Sequence, residues 1–301
     1  MSYSAYQQTI GTPAVCAGVG VHSGERTKLV LKPAPENVGI RFVRTDVMGQ
    51  GRSVAAIGTN VSDVTLCTTL TNDAGTSVSV VEHLLAACAG MGIDNLIVEI
   101  DGVEVPIMDG SSLVFCELIR SAGIKQQTIR RRRMRILSPV TVEDGPKWAR
   151  LTPNDRDDLT LHARIDYDNP AIGVQQMAIR LTPGQFMDDI AFARTFGFAR
   201  DVEQLKARGL ARGGSLENAV VIDGEDVINP EGLRAEDEFV RHKLLDAIGD
   251  LMLAGAPIAG EYSANQPGHA INNKLVRKLL DTPQAWCWET AEDDTPLRAT
   301  A

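Results

Sequence analysis

Residues 239–251, FVRHKLLDAIGDL, place an imidazole and two carboxylates at four-residue steps. On an α-helix with 3.6 residues per turn, His242, Asp246 and Asp250 share one face. Gly249 lies on the same side, and an interior glycine costs a helix roughly 1 kcal/mol relative to alanine, so it suggests a close approach by another element. Taken alone, the stretch is explained more simply as a solvated face that carries a His–Asp pair.

A second helical stretch carries a matching histidine. VEHLLAACAG (81–90) and VRHKLLDAIG (240–249) align without gaps, with histidine two residues after valine and glycine seven residues after histidine. Small residues beside the histidines would let two helices pack face to face and bring His83 and His242 together. With Asp246 they would suffice for a catalytic zinc whose fourth position is open. The alternative for His83 is a histidine packed at a helix interface.

Two further residues could move protons beside such a metal. Glu82 precedes His83 and either forms a capping box with Ser79 or acts as a general base on water. His269, in QPGHAINNK, is either a neighbour of a helix N-cap or an acid for a leaving amine. As an acid it works better as a cation, and Asp250 could be the carboxylate that supports its charge.

The elements that must position these side chains follow one order in both halves, with strands first and two helices afterwards. Alternating apolar residues predict strands in TKLVLKPA, GIRFVRT, DNLIVEIDG, RMRILSPVTVEDG and DDLTLHARIDY. Helices are predicted in SVSVVEHLLAACAGMG, in IMDGSSLVFCELIRSAGI, and around 236–254 and 271–281. Together with the aligned histidine motifs, this order indicates an internal repeat.

The composition is that of a globular protein of one or two domains: 301 residues, 44% hydrophobic and 23% charged. The net charge of −9 argues against nucleic acid as a partner, and the run Arg130–Arg133 is interpreted as a solvated linker. Five scattered cysteines indicate a reducing compartment. Neither a signal peptide nor an apolar run of 18 residues is recognised, so we expect a cytoplasmic protein.

Two other classes of protein would also carry a metal site made of two histidines and one carboxylate. One is a non-haem Fe(II) oxygenase, which uses the same ligand set. The other is a binding or interaction protein whose metal site is structural. Structural zinc normally has four protein ligands, and the sequence offers three good candidates.

Eight stretches match one known family in order along nearly the whole chain. They are GVGVHSG (18–24), CTTL (67–70), SVVEHLLAACAGMGIDN (79–95), VPIMDGSS (105–112), ARTFGFARD (193–201), GLARGGSLENAVV (209–221), LRAEDEFVRHKLLDAIGDL (233–251) and GHAINN (268–273). Through them the chain resembles the UDP-3-O-acyl-N-acetylglucosamine deacetylases, the zinc hydrolases of early lipid A synthesis in Gram-negative bacteria. Single motifs such as HKLLD are weak, whereas the ordered set is specific.

The resemblance implies an α+β fold of two similar domains, each a sheet packed on two helices. The helices are sandwiched between the sheets, and each domain carries a small insert. Here the domains would be 1–129 and 134–290, joined by the linker 130–133 and followed by a tail, 291–301. The insert of the second domain, near 196–222, would form an apolar passage for the acyl chain.

The resemblance also assigns roles by position. His83, His242 and Asp246 match the ligands of one Zn²⁺, with Fe²⁺ as the alternative in the cell. Glu82 matches the general base, and His269 matches the second catalytic group, which either donates a proton to the leaving amine or stabilises charge. Asp250 matches the carboxylate that supports His269, and Thr195 a hydroxyl that stabilises the oxyanion.

Substrate contacts are implied in the same way. The substrate would be a UDP-glucosamine with a 3-O-acyl chain and a 2-acetamide, cleaved by a monomer to UDP-3-O-acyl-glucosamine and acetate. Lys243 and Phe196 match substrate-contacting positions, and Tyr167 stands where a phenylalanine stacks on uracil and keeps the π-face. The implied passage residues, which could equally fill a local core, are Val202, Leu210, Leu216 and Val221. Ser215 is implied as a further substrate contact. Asn169 and Gln266-Pro267 depart from the family pattern and leave the details of nucleotide binding open.

Overall fold

The computed structural model describes residues 3–290, and two sheets of the same strand order dominate it. The predicted tail, 291–301, lies outside the described residues. The first half contains the elements β1 (Tyr6–Ile10), β2 (Ala14–Val19), β3 (Arg26–Pro33), β4 (Ile40–Arg44), β5 (Ser53–Ala55), β6 (Val61–Asp63), β7 (Thr69–Thr71), β8 (Ser77–Val78), α1 (Glu82–Met91), β9 (Leu96–Ile100), α2 (Leu113–Ala122) and β10 (Ile124–Arg130). Short 3₁₀ turns occupy Gln50–Arg52 and Gly58–Asn60.

The second half repeats this pattern. Its elements are β11 (Arg132–Ile136), β12 (Val140–Asp144), β13 (Lys147–Thr152), β14 (Leu159–Asp166), β15 (Val174–Arg180), α3 (Pro183–Gln185), β16 (Phe196–Phe198), α4 (Ala199–Ala207), β17 (Val220–Asp223), β18 (Asp226–Val227), α5 (Glu238–Met252), β19 (Ile258–Asn265), α6 (His269–Leu280) and β20 (Trp286–Thr290). A π-helical turn, Phe186–Ile190, continues α3, and a 3₁₀ turn covers Pro283–Ala285.

The two main sheets have equivalent topology. The first has the order β2-β3-β9-β4-β5, and the second contains β12-β13-β19-β14-β15, with β11 and β20 added at the start of β19. In both, the strand between the two helices is antiparallel to one neighbour and parallel to the other. Each half also inserts a three-stranded sheet before its central helix, β6-β7-β8 before α1 and β16-β17-β18 before α5. The internal repeat predicted from the histidine motifs and the α+β fold are confirmed, while the domain limits 1–129 and 134–290 stay a prediction.

The helices α1 and α5 lie inside the molecule. All residues of α1 except Ala89 are buried, and so are all but three residues of α5. A helix that is buried on every side must be covered by other elements on every side, so these two form the centre of the hydrophobic core. The strands cover them with one face, as in β14, where Leu159, Leu161, Ala163 and Ile165 alternate inward.

The close approach predicted from the two glycines is half right. A Cβ atom added to Gly249 would lie 2.1 Å from the carbonyl oxygen of Glu82, so α5 does pack on α1 at this glycine. A Cβ atom added to Gly90 would instead meet the ring of Phe186 at 2.0 Å. The prediction that Gly90 serves the helix–helix contact is therefore wrong, because the π-helical turn fills that side of α1.

The predicted capping box of α1 is also wrong. The N-cap residue is Val81, and no side chain caps the helix. Ser79 donates its hydroxyl to the carbonyl of Val103, and the Glu82 carboxylate accepts the backbone N–H of Thr68 at 3.0 Å. Glu82 is thus free of the local role that sequence favoured, and its carboxylate is held by Thr68, which lies just before β7.

The run Arg130–Arg133 is solvated only in part: Arg132 is exposed and Arg130 and Arg133 are half-buried, so the prediction of a solvated run fails for Arg131. Arg130 ends β10 and Arg132 begins β11. Arg131, between them, is only 6% exposed and pairs with Asp94 at 2.7 Å. The fold brings carboxylates and aromatic rings from distant segments to these guanidinium groups, which the sequence pattern does not reveal.

Among residues 3–290, no helix combines the length and apolar character needed to cross a membrane.

Candidate active site

Two histidines and one aspartate from the two halves meet at the contact of α1 and α5. His83, on the first turn of α1, and His242, on the second turn of α5, have ring centroids 5.0 Å apart. Asp246 lies one turn beyond His242, and its Oδ1 is 3.6 Å from Nε2 of His83 and 3.3 Å from Nε2 of His242. The candidate ligand atoms of all three lie within 4.8 Å of one another, and all three residues are buried. We call them the His–His–Asp triad.

The triad has the chemistry of a cation site. His242 Nδ1 lies 3.1 Å from the carbonyl oxygen of Ala193, which has no proton to give, so Nδ1 carries the proton and Nε2 presents a lone pair to Asp246. Asp246 Oδ1 and His83 Nδ1 are buried without a hydrogen-bond partner among the described residues. A carboxylate oxygen facing an imidazole lone pair is repulsive unless a cation lies between them. Two nitrogens and one oxygen suit a catalytic zinc that keeps a fourth position open.

Burial and nearby charge keep the triad ready for a cation. Burial lowers the pKa of His242 to about 3, so its imidazole is neutral. Burial works against the Asp246 carboxylate, but the neighbouring Lys243 ammonium outweighs burial and holds the pKa of Asp246 well below its ordinary value. Burial also disfavours the Lys243 ammonium, yet Asp246, 2.8 Å away, outweighs burial and raises the pKa of Lys243.

Beside the triad lies a pair of groups able to exchange protons. Burial raises the pKa of Glu82, whose Oε1 is 3.8 Å from Nε2 of His269. His269 opens α6, and its Nδ1 is 3.0 Å from Oδ2 of the buried Asp250. Burial opposes the imidazolium, but Asp250 and Glu82 outweigh it and raise the pKa of His269 to about 10. At neutral pH, His269 therefore carries a proton on Nε2 that faces the same space as Glu82.

A buried ion pair fixes the segment that precedes Thr195. Arg194 is 1% exposed, and its Nε lies 2.9 Å from Oε1 of Glu238, the first residue of α5. The backbone N–H of Arg194 donates to the same carboxylate. Because Glu238 stands four residues before His242 on α5, the pair holds the Ala193 carbonyl against the His242 ring.

Thr195 and Phe196 closely follow Ala193, whose carbonyl contacts His242. Thr195 bonds through its backbone to Gly110 and Val220, and within residues 3–290 its hydroxyl has no hydrogen-bond partner. Phe196 lies 6.2 Å from His242 and 5.8 Å from Tyr167, ring to ring. The Lys243 ammonium lies 5.3 Å from the Phe196 ring centroid. The predicted substrate positions Lys243, Phe196 and Tyr167 are thus brought together next to the triad.

The four predicted passage residues and Ser215 lie in one small unit beside the site, formed by β16, β17, β18 and α4. Val202, Leu210 and Val221 are half-buried, whereas Ser215 and Leu216 are exposed. The unit docks onto the first half, because the N–H groups of Arg212 and Gly213 donate to the carbonyls of His22 and Val21. Through these bonds the unit of the second half is held against residues 21–22 of the first half.

Sequence reasoning missed two groups of contacts. The first comes from Thr68, which bonds to Glu82 and to Asp250. The second is a chain behind Asp250, in which Tyr262 donates to Asn272 and Asn272 donates to Asp250. The stretches CTTL and GHAINN carry Thr68 and Asn272, so the signal was present in the matched motifs, but nothing local in sequence pointed to these partners.

Comparison with known proteins gives one consistent result. The matching family is described as UDP-3-O-acyl N-acetylglycosamine deacetylase, and the match covers residues 7–281. The UDP-3-O-acyl-N-acetylglucosamine deacetylase of Shewanella frigidimarina is 50% identical over 283 residues, which are 93% of this chain and 92% of that protein. The protein of the same name from Phenylobacterium zucineum is 48% identical over 289 residues, 96% and 98% of the two chains. The matched span includes every residue of the candidate site.

Proposed function

Because the chain belongs to the UDP-3-O-acyl N-acetylglycosamine deacetylase family, we propose that it removes the N-acetyl group of UDP-3-O-acyl-N-acetylglucosamine. It is a metal-dependent hydrolase of an amide bond, and the products are UDP-3-O-acyl-glucosamine and acetate. This is the committed step of lipid A synthesis. The observation that carries the proposal is the meeting of the His–His–Asp triad with Glu82 and His269 in one buried site.

We propose that the triad holds one Zn²⁺ per chain. His83 and His242 supply nitrogen, Asp246 supplies oxygen, and this ligand set suits zinc with an open fourth position. Fe²⁺ accepts the same ligands and is the alternative metal. When bound, the cation lowers the pKa of water and polarises the acetamide carbonyl. The Ala193 carbonyl orients His242 by accepting its Nδ1 proton.

Two side chains move the protons. Glu82 accepts a proton from the water whose oxygen adds to the carbonyl carbon, a task suited to a carboxylate whose pKa burial has raised. The C–N bond then breaks, and His269 gives the proton on Nε2 to the departing nitrogen. Asp250 keeps His269 charged until that transfer. Thr195 donates its hydroxyl to the oxyanion, a contact of the kind that contributes about 3 kcal/mol.

Substrate binding is assigned to the residues around this centre. Lys243 is charged and faces the Phe196 ring, so it offers a cation to the polar part of the substrate. Tyr167 presents a ring on which uracil stacks. The acyl chain runs along the small unit after β16, and the residues proposed to contact it are Val202, Leu210, Leu216 and Val221, with Ser215 as a further substrate contact.

The test joins a deacetylation assay and metal analysis on one purified sample. We expect acetate release from UDP-3-O-acyl-N-acetylglucosamine, one zinc per chain, and loss of turnover after chelation with recovery on adding zinc. The matched control is the same UDP-sugar without the 3-O-acyl chain, which should react far more slowly. A sample that holds one metal per chain but releases no acetate would contradict the proposed reaction.

The same sample separates the rival classes. An oxygenase would consume oxygen with a 2-oxoacid, whereas the presence of Glu82 and His269 beside the triad favours hydrolysis. A binding protein would retain the nucleotide sugar unchanged. We also propose that the chain works as a monomer in the cytoplasm, in keeping with five unpaired thiols, and sizing by light scattering tests the monomer.

A further inference from the structure

Thr68 joins the two proton-transfer groups of the site. It lies just before β7, is 1% exposed, and touches the site with both its backbone and its side chain. Its backbone N–H donates to Oε2 of Glu82 at 3.0 Å. Its hydroxyl donates to Oδ1 of Asp250 at 2.7 Å and lies 3.3 Å from Nδ1 of His269.

These contacts define the hydrogen positions around His269. The Thr68 hydroxyl has one proton, which goes to Asp250, so towards His269 its oxygen can only accept. Nδ1 of His269 therefore carries a proton, shared between Oδ2 of Asp250 and the Thr68 oxygen. With Nδ1 occupied, Nε2 is the atom left to give and receive protons on the Glu82 side.

Thr68 also orients Glu82, the second of the two proton-transfer groups. With Oε2 held by the Thr68 amide, Oε1 is the oxygen that faces His269. Glu82 belongs to α1 in the first half, whereas Asp250 and His269 belong to α5 and α6 in the second. Thr68 is thus bonded to both sides of the gap across which the protons move.

We propose that Thr68 is a positioning residue for the deacetylation, which sets Glu82 with its amide and the Asp250–His269 pair with its hydroxyl. The inference rests on the proposed function, since it assigns Thr68 a part in that same reaction. Thr68 does not touch the reacting atoms in this account. It acts by holding the carboxylate that accepts the proton and the imidazole that donates it at a fixed separation.

The experiment compares variants that distinguish the effect of the Thr68 hydroxyl from the effects of its backbone amide and of its side-chain volume. Thr68→Val keeps the volume and the bond to Glu82 but removes the hydroxyl, and Thr68→Ser keeps the hydroxyl. Thr68→Ala is the second variant without a hydroxyl and adds no bulk. The matched control is Thr71→Val, three residues further along in β7, where the Thr71 hydroxyl bonds to Ser62 at the surface. Each protein is assayed for kcat, KM, bound zinc and melting temperature.

We expect Thr68→Val and Thr68→Ala to lower kcat about tenfold or more, because a hydrogen bond to a charged group is lost from a water-poor site. KM and bound zinc should stay within about twofold, and Thr68→Ser should recover most of the turnover. In an Asp250→Asn background, Thr68→Val should cost little more, since its hydroxyl acts through Asp250.

The outcomes separate the two proposals. Equal kcat in Thr68→Val and the parent, equal losses in Thr68→Val and Thr68→Ser, or full additivity with Asp250→Asn would each overturn the positioning role and leave the deacetylase intact. A zinc-loaded parent protein that releases no acetate would instead overturn the proposed function. If both hydroxyl-free variants lose zinc and melting temperature together, the role of Thr68 is structural and the inference is wrong.

Discussion

Gly249 of α5 lies directly against the backbone of Glu82, the first residue of α1, and a Cβ atom there would come within 2.1 Å of the Glu82 carbonyl oxygen. The two helices that carry the triad therefore touch through backbone at the residue proposed as the general base. The contact fixes how far Glu82 stands from Asp246 and Asp250, which share the face of α5 with Gly249.

Gly249→Ala should therefore damage both stability and turnover. Alanine favours a helix by roughly 1 kcal/mol, but the methyl group meets backbone atoms that cannot rotate away, and overpacking costs about 1–3 kcal/mol. We expect a net loss in the free energy of unfolding, measured in urea, and a larger loss of kcat as α1 shifts. Gly184→Ala is the control, because nothing lies within 4 Å of an added Cβ atom there. A Gly249→Ala protein as stable and active as the parent would show that the helices yield without cost.

The His–His–Asp triad could be predicted from the sequence because it follows from short-range spacing and from a repeated motif. His242 and Asp246 are four residues apart on one helix, and the repeated motif supplied His83 on another. The same periodicity predicted the close approach at Gly249. It could not say which element would make the approach, and so it assigned Gly90 to the helix contact when Phe186 fills that space.

The rest of the site depends on partners that are far apart in sequence. Thr68 and Asp250 are 182 positions apart, and Ala193 and His242 are 49 apart. Local rules explained Glu82 by a capping box and Arg131 by solvation, and in both cases a tertiary contact took precedence. The carboxylate of Glu82 went to Thr68, and Arg131 was buried against Asp94. Such pairings follow from topology, which no local pattern specifies.

Without one of the three triad ligands, added zinc should no longer raise the melting temperature of the protein. We expect zinc to raise the melting temperature of the metal-free parent protein, because a ligand that binds only the folded state stabilises it. Asp246→Ala removes the oxygen ligand and leaves the Lys243 ammonium without its carboxylate partner. Because the metal site is then incomplete, bound zinc should fall and the rise in melting temperature on adding zinc should disappear. Calorimetric scans with and without zinc, with metal analysis, give the answer. An Asp246→Ala protein that binds zinc as tightly as the parent would exclude Asp246 as a ligand.

The alkaline limit of activity should belong to His269. Its pKa is raised to about 10, so the imidazolium is present at neutral pH and is lost as the pH rises through that value. A dication in the triad repels the imidazolium and moves the limit of the loaded enzyme below 10. We expect kcat to fall along that limb in the parent, and His269→Gln to lose about 10²- to 10⁴-fold in kcat at neutral pH and to lack the limb. An unchanged pH profile in His269→Gln would assign the limb to another group.

The same shift predicts how stability depends on pH. A folded-state pKa above the unfolded value of about 6.5 means that the folded protein binds the proton more tightly. The stabilisation from His269 is therefore fully present below about pH 6.5 and is lost as the pH rises through the folded pKa. Urea unfolding of the metal-free parent and of His269→Gln at several pH values should show the difference between them shrinking towards high pH. A difference that is independent of pH would mean that the folded state does not retain that proton.

Two glutamates contact the same arginine, and they should differ sharply in importance. Arg194 is buried and pairs with Glu238, whose side chain is 0% exposed, and with Glu231, whose side chain is 53% exposed. Glu238→Gln leaves the guanidinium buried without that charge, a change that typically costs about 3–5 kcal/mol. The pair with the exposed Glu231 is screened by solvent and contributes little. We expect Glu238→Gln to lower the free energy of unfolding by several kcal/mol and to weaken zinc binding, because the Ala193 carbonyl loses its hold on His242. Glu231→Gln should change both quantities little. Equal effects from the two variants would mean that the charge on Arg194 is balanced from solvent, and that the ion pair with α5 does not orient the ligand.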